Sequence, residues 1–231
     1  MNYSHSEIEK FDQFAQDWWN PNGPMKPLHQ LNPVRLDYIQ RYSPLSQQHI
    51  IDVGCGVGLL SESLARAGAI VTGIDMSEQA LDVATAHAKA QHIQVTYKKT
   101  TVEEQATLTP SYWDVVTCME LLEHVPDPVS VITACATITK PNGFVFFSTI
   151  NRTLQAYLTA ILGAEYVLQL LPKGTHDYKQ FIRPSELDRA CRQAGLTLVN
   201  LSGLNYHPIK QIFELSTHVT VNYICCYRKA L

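Results

Sequence analysis

Two stretches hold the residues whose types and spacing could do chemistry. The first, "IIDVGCGVGLLSESLARAGA" (residues 50–69), runs from an apolar segment through Gly54, Gly56 and Gly58 into a helical pattern. A dinucleotide-binding turn needs G-x-G-x-x-G, but the third position is Leu59 counted from Gly54 and Ser61 counted from Gly56. The turn lets backbone approach a ligand closely, without the helix-packing glycine that accompanies a pyrophosphate. Asp52 stands just before it, and the next apolar run ends in "TGIDMS", where Asp75 can accept two hydrogen bonds from a ribose diol. These residues imply a ribose-bearing ligand that needs no phosphate. The second stretch, "MELLEHVPDP", sets Glu120, Glu123 and His124 close together, three groups able to bind a proton or a hard cation. The plainer alternative is a solvated acidic turn with a structural histidine.

Both turns need rigid elements to hold them. Strands are expected at 49–53, 70–74, 93–97, 113–118, 144–149, 196–203 and 218–227, with helices at 57–67, 77–90, after Asp127-Pro128, and from Pro184 to Gly195. Short apolar strands between amphipathic helices predict a doubly wound, mostly parallel α/β sheet of seven strands, covered on both faces. Ser77 and Asp127 are placed to cap the helices that follow them, the second with proline in its first turn. Ahead of the sheet come a helix-like opening from Glu7 to Trp19, a loop rich in Pro, Gly and Asn, and a helix over Arg35 to Arg41. One domain with four parts is expected: a helical cap (1–45), a cofactor-binding core (46–150), a helical insertion facing substrate or membrane (151–180), and a closing helix with strands (181–231). Ligands of open α/β sheets bind outside the carboxyl ends of the strands, where both turns lie.

Composition narrows the function. With 231 residues, 45% of them hydrophobic, and a net charge of −3, the chain can build a full core, and its charge implies no nucleic-acid partner. Cysteines at 55, 118, 135, 191, 225 and 226 lack C-x-x-C spacing and read as reduced thiols. The opening "MNYSHSEIEKFDQF" has neither the apolar core of a signal peptide nor the bias of a transit peptide, so a cytoplasmic chain is expected.

An acid-tipped first strand, G-x-G-x-G and a second acid at Asp75 resemble the S-adenosylmethionine loop of the Rossmann-like class I methyltransferases. The resemblance extends over nearly the whole chain: "EIEKFDQFAQDWWNP", "KPLHQLNPVRLDYI", "DVVTCMELLEHVPDP", "FFSTINR", "GAEYVLQLLPKGTHDYKQFIRPSEL" and "GLNYHPI" are similar to the ubiquinone-biosynthesis O-methyltransferases. It implies that Asp52, Gly54 and Gly56 lie along the methionyl part of the cofactor, that Asp75 holds its ribose, and that Arg35 and Met119 are further contacts. Arg35 would pair with the α-carboxylate, its alternative being a solvated surface arginine. Met76 and Val102 either flank the adenine or simply pack. Where the family commonly has a third loop glycine this chain has Val57, which implies a stiffer loop.

The implied reaction is O-methylation of polyprenylated catechol and quinol intermediates at both O-methylation steps of ubiquinone biosynthesis. A phenol of pKa near 10 must be ionised at pH 7, costing about 4 kcal/mol. Either His124 acts as a base, with Glu120 and Glu123 beside it, or the three hold Mg²⁺ or Zn²⁺ against the substrate oxygens. Segment 153–174 sets Leu154, Leu158, Ile161, Leu162, Tyr166 and Leu170 near one helical face, interrupted by Gln155, Glu165 and Gln169. It is too polar to span a bilayer; it reads either as a packing helix or as a lid and peripheral membrane contact for a prenyl tail. Further partners would be other ubiquinone-biosynthesis proteins, and the cytoplasmic membrane's inner face the place of contact. The rival readings are a methyltransferase of another quinone or small phenol, a non-catalytic cofactor-binding subunit, and a dehydrogenase, which the failed G-x-G-x-x-G register disfavours.

Overall fold

The computed structural model describes residues 2–12, 18–23, 25–157, 178–207 and 210–231. Its frame is one sheet ordered β3-β2-β1-β4-β5-β8-β6-β7. The first five strands in sequence, β1 (His49–Val53), β2 (Ile70–Asp75), β3 (Val95–Lys99), β4 (Trp113–Met119) and β5 (Thr139–Ile150), run parallel. Beyond β5 the sheet continues antiparallel through β8 (Asn222–Lys229), β6 (Leu196–His207) and β7 (Ile212–Ser216). Strand order reverses between β1 and β4, so the loops after these strands diverge and leave a crevice at their carboxyl ends.

The central strands are apolar on both faces because helices cover both: Ile50, Ile51, Val115, Val116, Val145, Phe146 and Phe147 are all fully buried. The covering helices include α3 (Leu59–Arg66), α4 (Glu78–Ala90), α6 (Pro128–Ile138) and α8 (Pro184–Gln193). Both expected caps form. Ser77 Oγ accepts from Ala80 N at 2.9 Å, and Asp127 accepts from Val129 N and Ser130 N at 3.0 and 3.2 Å. A further helix, α5 (Val102–Leu108), starts at a Thr101/Glu104 capping box that the reading of the sequence had passed over.

The expected α/β class holds, with eight strands among the described residues rather than seven. The additional edge strand, β7, pairs with a β6 that runs four residues past the expected Gly203 to His207. The last strand begins at Asn222 and not at 218. The preceding carbonyls are taken elsewhere: Val219 and Val221 accept from Asn151, and Thr220 accepts from Thr153, all in the loop after β5. Trp18 and Trp19 lie in a turn rather than in the opening helix, and α2 spans Lys26–Gln40, well beyond the expected Arg35 to Arg41. Pro27 fits its first turn, where no helical N–H is needed. Of the expected insertion, α7 (Leu154–Ala156) is described; Leu158, Ile161, Leu162, Tyr166 and Leu170 lie outside the described residues. The six cysteines are free thiols.

Candidate active site

The glycine turn is tied to β2 by backbone and carboxylate together. Gly54 N and Cys55 N donate to Ile74 O at 2.9 and 3.0 Å, and Gly56 N donates to Asp75 Oδ2 at 2.8 Å. Asp75 Oδ1 accepts from Ser77 N at 2.9 Å, so one carboxylate joins the turn to the start of α4. Burial pushes the Asp75 carboxyl up, opposed by the amides of Ser77, Gly56 and Met76. A carboxylate offers about four acceptor sites, so those bonds leave capacity for a diol. A Cβ on Gly54 would come within 3.0 Å of the Leu121 methyls, so the turns after β1 and β4 touch across the crevice. A Cβ on Gly56 would meet the Trp18 ring at 3.6 Å.

Asp52 is turned elsewhere. Its oxygens accept from Ser61 Oγ at 2.6 Å and Thr117 Oγ1 at 2.8 Å, pinning β1 to α3 and β4. Burial pushes its carboxyl up, against those two bonds. Its place in the fold is thus internal, while Asp75 is bonded to the glycine turn itself through Gly56 N. Met76 is half-buried beside Asp75, whereas Met119 and Val102 are buried in two separate clusters of the core.

Arg35 is no surface arginine: it is 7% exposed, and its Nη2 donates to Glu120 Oε1 at 3.1 Å. Among the described residues its buried Nε has no hydrogen-bond partner. Glu120 carries φ +52°, a left-handed backbone that costs a side-chain-bearing residue on the order of 1 kcal/mol or more and recurs at functional turns. Ser148 Oγ, at the end of β5, donates to the same Oε1 at 2.7 Å.

Glu123 and His124 sit on a short 3₁₀ turn, Leu122–His124. Glu123 Oε2 accepts from Thr149 Oγ1 at 2.7 Å, while buried Oε1 has no partner among the described residues. Burial and then the charge of Glu120 push the Glu123 carboxyl up to about 8. His124 Nδ1 lies 3.0 Å from Glu7 Oε2 on α1 (His5–Asp12). Burial pulls the imidazole pKa down, but the Glu7 bond and the charges of Glu123, Glu7 and Glu120 together raise it above its ordinary value. Glu120, Glu123 and His124 thus face different partners, and among the described residues no three His, Cys, Asp or Glu side chains converge as a cation site requires. As placed, they do not fit the expected metal site.

Glu7 was missed in the sequence because nothing local links residue 7 to residue 124. Its carboxyl is held down to about 2, first by the His124 bond. Glu7's contribution to docking α1 is present above its unfolded value near 4.5 and lost as pH falls through about 2. That of His124 is present below 6.5 and lost as pH rises through its elevated folded pKa. The pair is therefore strongest between about 4.5 and 6.5. Glu7→Gln is expected to lower the His124 pKa, read by an NMR titration of its ring protons; an unmoved titration would remove Glu7 from the site.

The N-terminal segment also covers the glycine turn. Trp19 Nε1 donates to Val57 O at 3.1 Å, and the Trp19 ring stacks on His87 at 3.4 Å between centroids. Val57 is buried with Trp18, Met25 and Ala80, so its side chain fills space beneath this cover.

Comparison with known proteins fits this geometry. Residues 27–201 match the family profile described as a methyltransferase domain. Among curated proteins, the ubiquinone biosynthesis O-methyltransferase of Coxiella burnetii (strain RSA 331) is 55% identical over 227 residues, 98% of this chain and 97% of that protein. The protein of the same name from Nitrosospira multiformis is 53% identical over 228 residues, 99% of this chain and 95% of that one. Among solved structures, a magnesium protoporphyrin IX methyltransferase from Synechocystis PCC 6803 superposes with a TM-score of 0.71 at 20% identity, covering 96% of this chain and 98% of that one. At that identity the likeness concerns the fold.

Proposed function

The chain belongs to the family of ubiquinone biosynthesis O-methyltransferases, and from that premise we propose that the crevice after β1, β2 and β4 binds S-adenosylmethionine and methylates a polyprenyl phenol or quinol. The observation that carries this reading is the buried guanidinium of Arg35, with its unpartnered Nε, on the same crevice as the glycine turn and Asp75. Those three features suit the three ends of one ligand: a carboxylate for Arg35, a chain along the glycine backbone, and a ribose diol for Asp75. When bound, S-adenosylmethionine supplies a sulfonium methyl that a phenol oxygen can take.

The protein's own task is to align that oxygen and to accept its proton. Alignment converts the encounter into a unimolecular step, an effect of up to about 7–11 kcal/mol. Proton acceptance falls to the turn after β4. Glu123, held near 8, is matched to a phenol's proton better than an ordinary carboxylate. His124, anchored by Glu7, lies beside it. Glu120 sits between this pair and Arg35.

The substrates we propose are both O-methylation intermediates, a prenylated catechol and a demethylated ubiquinol. Their tails motivate peripheral contact with the inner face of the cytoplasmic membrane through segment 153–174, and association with other ubiquinone-biosynthesis proteins. Among the described residues no helix is long and apolar enough to cross a membrane. The deciding experiment is mass spectrometry of methyl transfer to both substrates, with short tails in buffer and long tails in vesicles, with and without EDTA. Product from both supports the dual reading, and loss in EDTA would move the acidic turn from proton transfer to cation binding. Cofactor binding without product from either would leave another quinone or phenol, or a non-catalytic role. No gain in vesicles would count against the membrane contact.

A further inference from the structure

We infer that Glu120 competes with the carboxylate of the cofactor for the Arg35 guanidinium, and so acts as an internal counter-ligand that sets cofactor affinity. The inference rests on the proposed pairing of Arg35 with that carboxylate. A buried arginine with a permanent acidic partner is usually held by the fork, through two parallel bonds. Glu120 holds it by one, from Nη2 at 3.1 Å, and leaves the buried Nε unpartnered. The guanidinium is thus neutralised but not filled, and the unused donor marks where a second, better aligned carboxylate oxygen belongs.

Glu120 is built to let go. Its Oε1 also accepts from Ser148 Oγ at 2.7 Å, and its backbone N donates to Ser148 O at 2.9 Å. Releasing Arg35 therefore leaves the carboxylate bonded at the end of β5 rather than stranded. The left-handed backbone at Glu120 aims the side chain back at α2 from the first residue past β4. A continued extended strand would carry it past the arginine.

Competition has a measurable signature, because a site closed for nine-tenths of the time binds about tenfold more weakly than the open site. The test is calorimetric binding of S-adenosylhomocysteine and of 5′-methylthioadenosine, which shares the adenosine thioether and lacks the carboxylate. Wild type, Glu120→Gln and Glu120→Ala are compared. Removing the competing charge is expected to tighten S-adenosylhomocysteine by up to about tenfold and to leave 5′-methylthioadenosine unchanged. Weaker S-adenosylhomocysteine binding would make Glu120 a support for Arg35, and unchanged binding would remove it from the cofactor site; either overturns competition. Loss of both ligands in both variants overturns it too, since a mere competitor is not needed to form the pocket. If wild type binds neither ligand, the cofactor reading itself fails.

Discussion

Replacing His124 by alanine is expected to lower kcat by about 10² to 10⁴ while S-adenosylhomocysteine affinity stays within a few-fold of wild type. The asymmetry follows from position. His124 and Glu123 lie on the 3₁₀ turn after β4, whereas the groups proposed to hold the cofactor are Arg35, the glycine backbone and Asp75. Removing a proton acceptor returns to the reaction most of the roughly 4 kcal/mol needed to ionise a phenol at pH 7. A Glu123→Gln variant separates the two acceptors. Glu123 is pushed up to about 8, so if it takes the proton, kcat/KM should rise with pH through an acid limb near 8. That limb should vanish in Glu123→Gln and persist, at reduced rate, in His124→Ala. Unchanged turnover in both variants would remove this turn from the mechanism.

The sequence showed these residues because their chemistry is local. Ser77, Asp127 and Pro128 announce helix starts through bonds that span only a few residues, and each forms as expected. The G-x-G-x-G turn and Asp75 are likewise tied to adjacent strands. What escaped was non-local or bound by competing partners. Asp52 has the right type and place for a ligand contact, yet it is 3% exposed and turned to Ser61 and Thr117, and nothing in "IIDVGCG" foretells a partner on β4. Arg35 is ambiguous in the sequence between surface and site, because the packing of α2 against the sheet through Tyr38 and Ile39 is non-local. The polar pair Ser148 and Thr149, directly after the apolar run Phe144–Phe147 of β5, is a legible signal of acidic neighbours. The strand at Ile212–Ser216 was not, because an edge strand with mixed exposure lacks the apolar run that marks the central strands. The E-x-x-E-H spacing suggests one cation site, but the left-handed backbone at Glu120 and the 3₁₀ turn at Leu122–His124 send the three side chains to Arg35, Thr149 and Glu7.

Gly58→Ala is expected to destabilise the protein by about 3 kcal/mol or more and to weaken the cofactor site with it. Gly58 caps α3 at φ +83°, where a side-chain-bearing residue costs roughly 1–2 kcal/mol. A Cβ built there would collide with the Tyr97 hydroxyl and stand 2.8 Å from its Cζ. Tyr97 cannot easily yield, because its ring lies against Gly73, whose own Cβ position is 2.8 Å from the ring and 2.9 Å from Cys55 Sγ. Either the tyrosine leaves β3 or α3 tilts away from the turn, and both disturb the backbone that Gly56 and Asp75 hold in place. A loss of about 3 kcal/mol corresponds to a Tm lowered by roughly 6–12 °C for a chain of this length. Gly195→Ala is the control, since its φ is also positive, at +79°, but among the described residues nothing lies within 4 Å of its Cβ position. It should show the backbone cost alone, about a third to a half of the effect at Gly58. Equal shifts in Tm for the two variants, by calorimetry, would mean that backbone strain and not the Tyr97 contact reserves position 58 for glycine. A Gly58→Ala, Tyr97→Phe double variant locates the clash further, because removing the hydroxyl should recover part of the stability only if that atom is the one displaced.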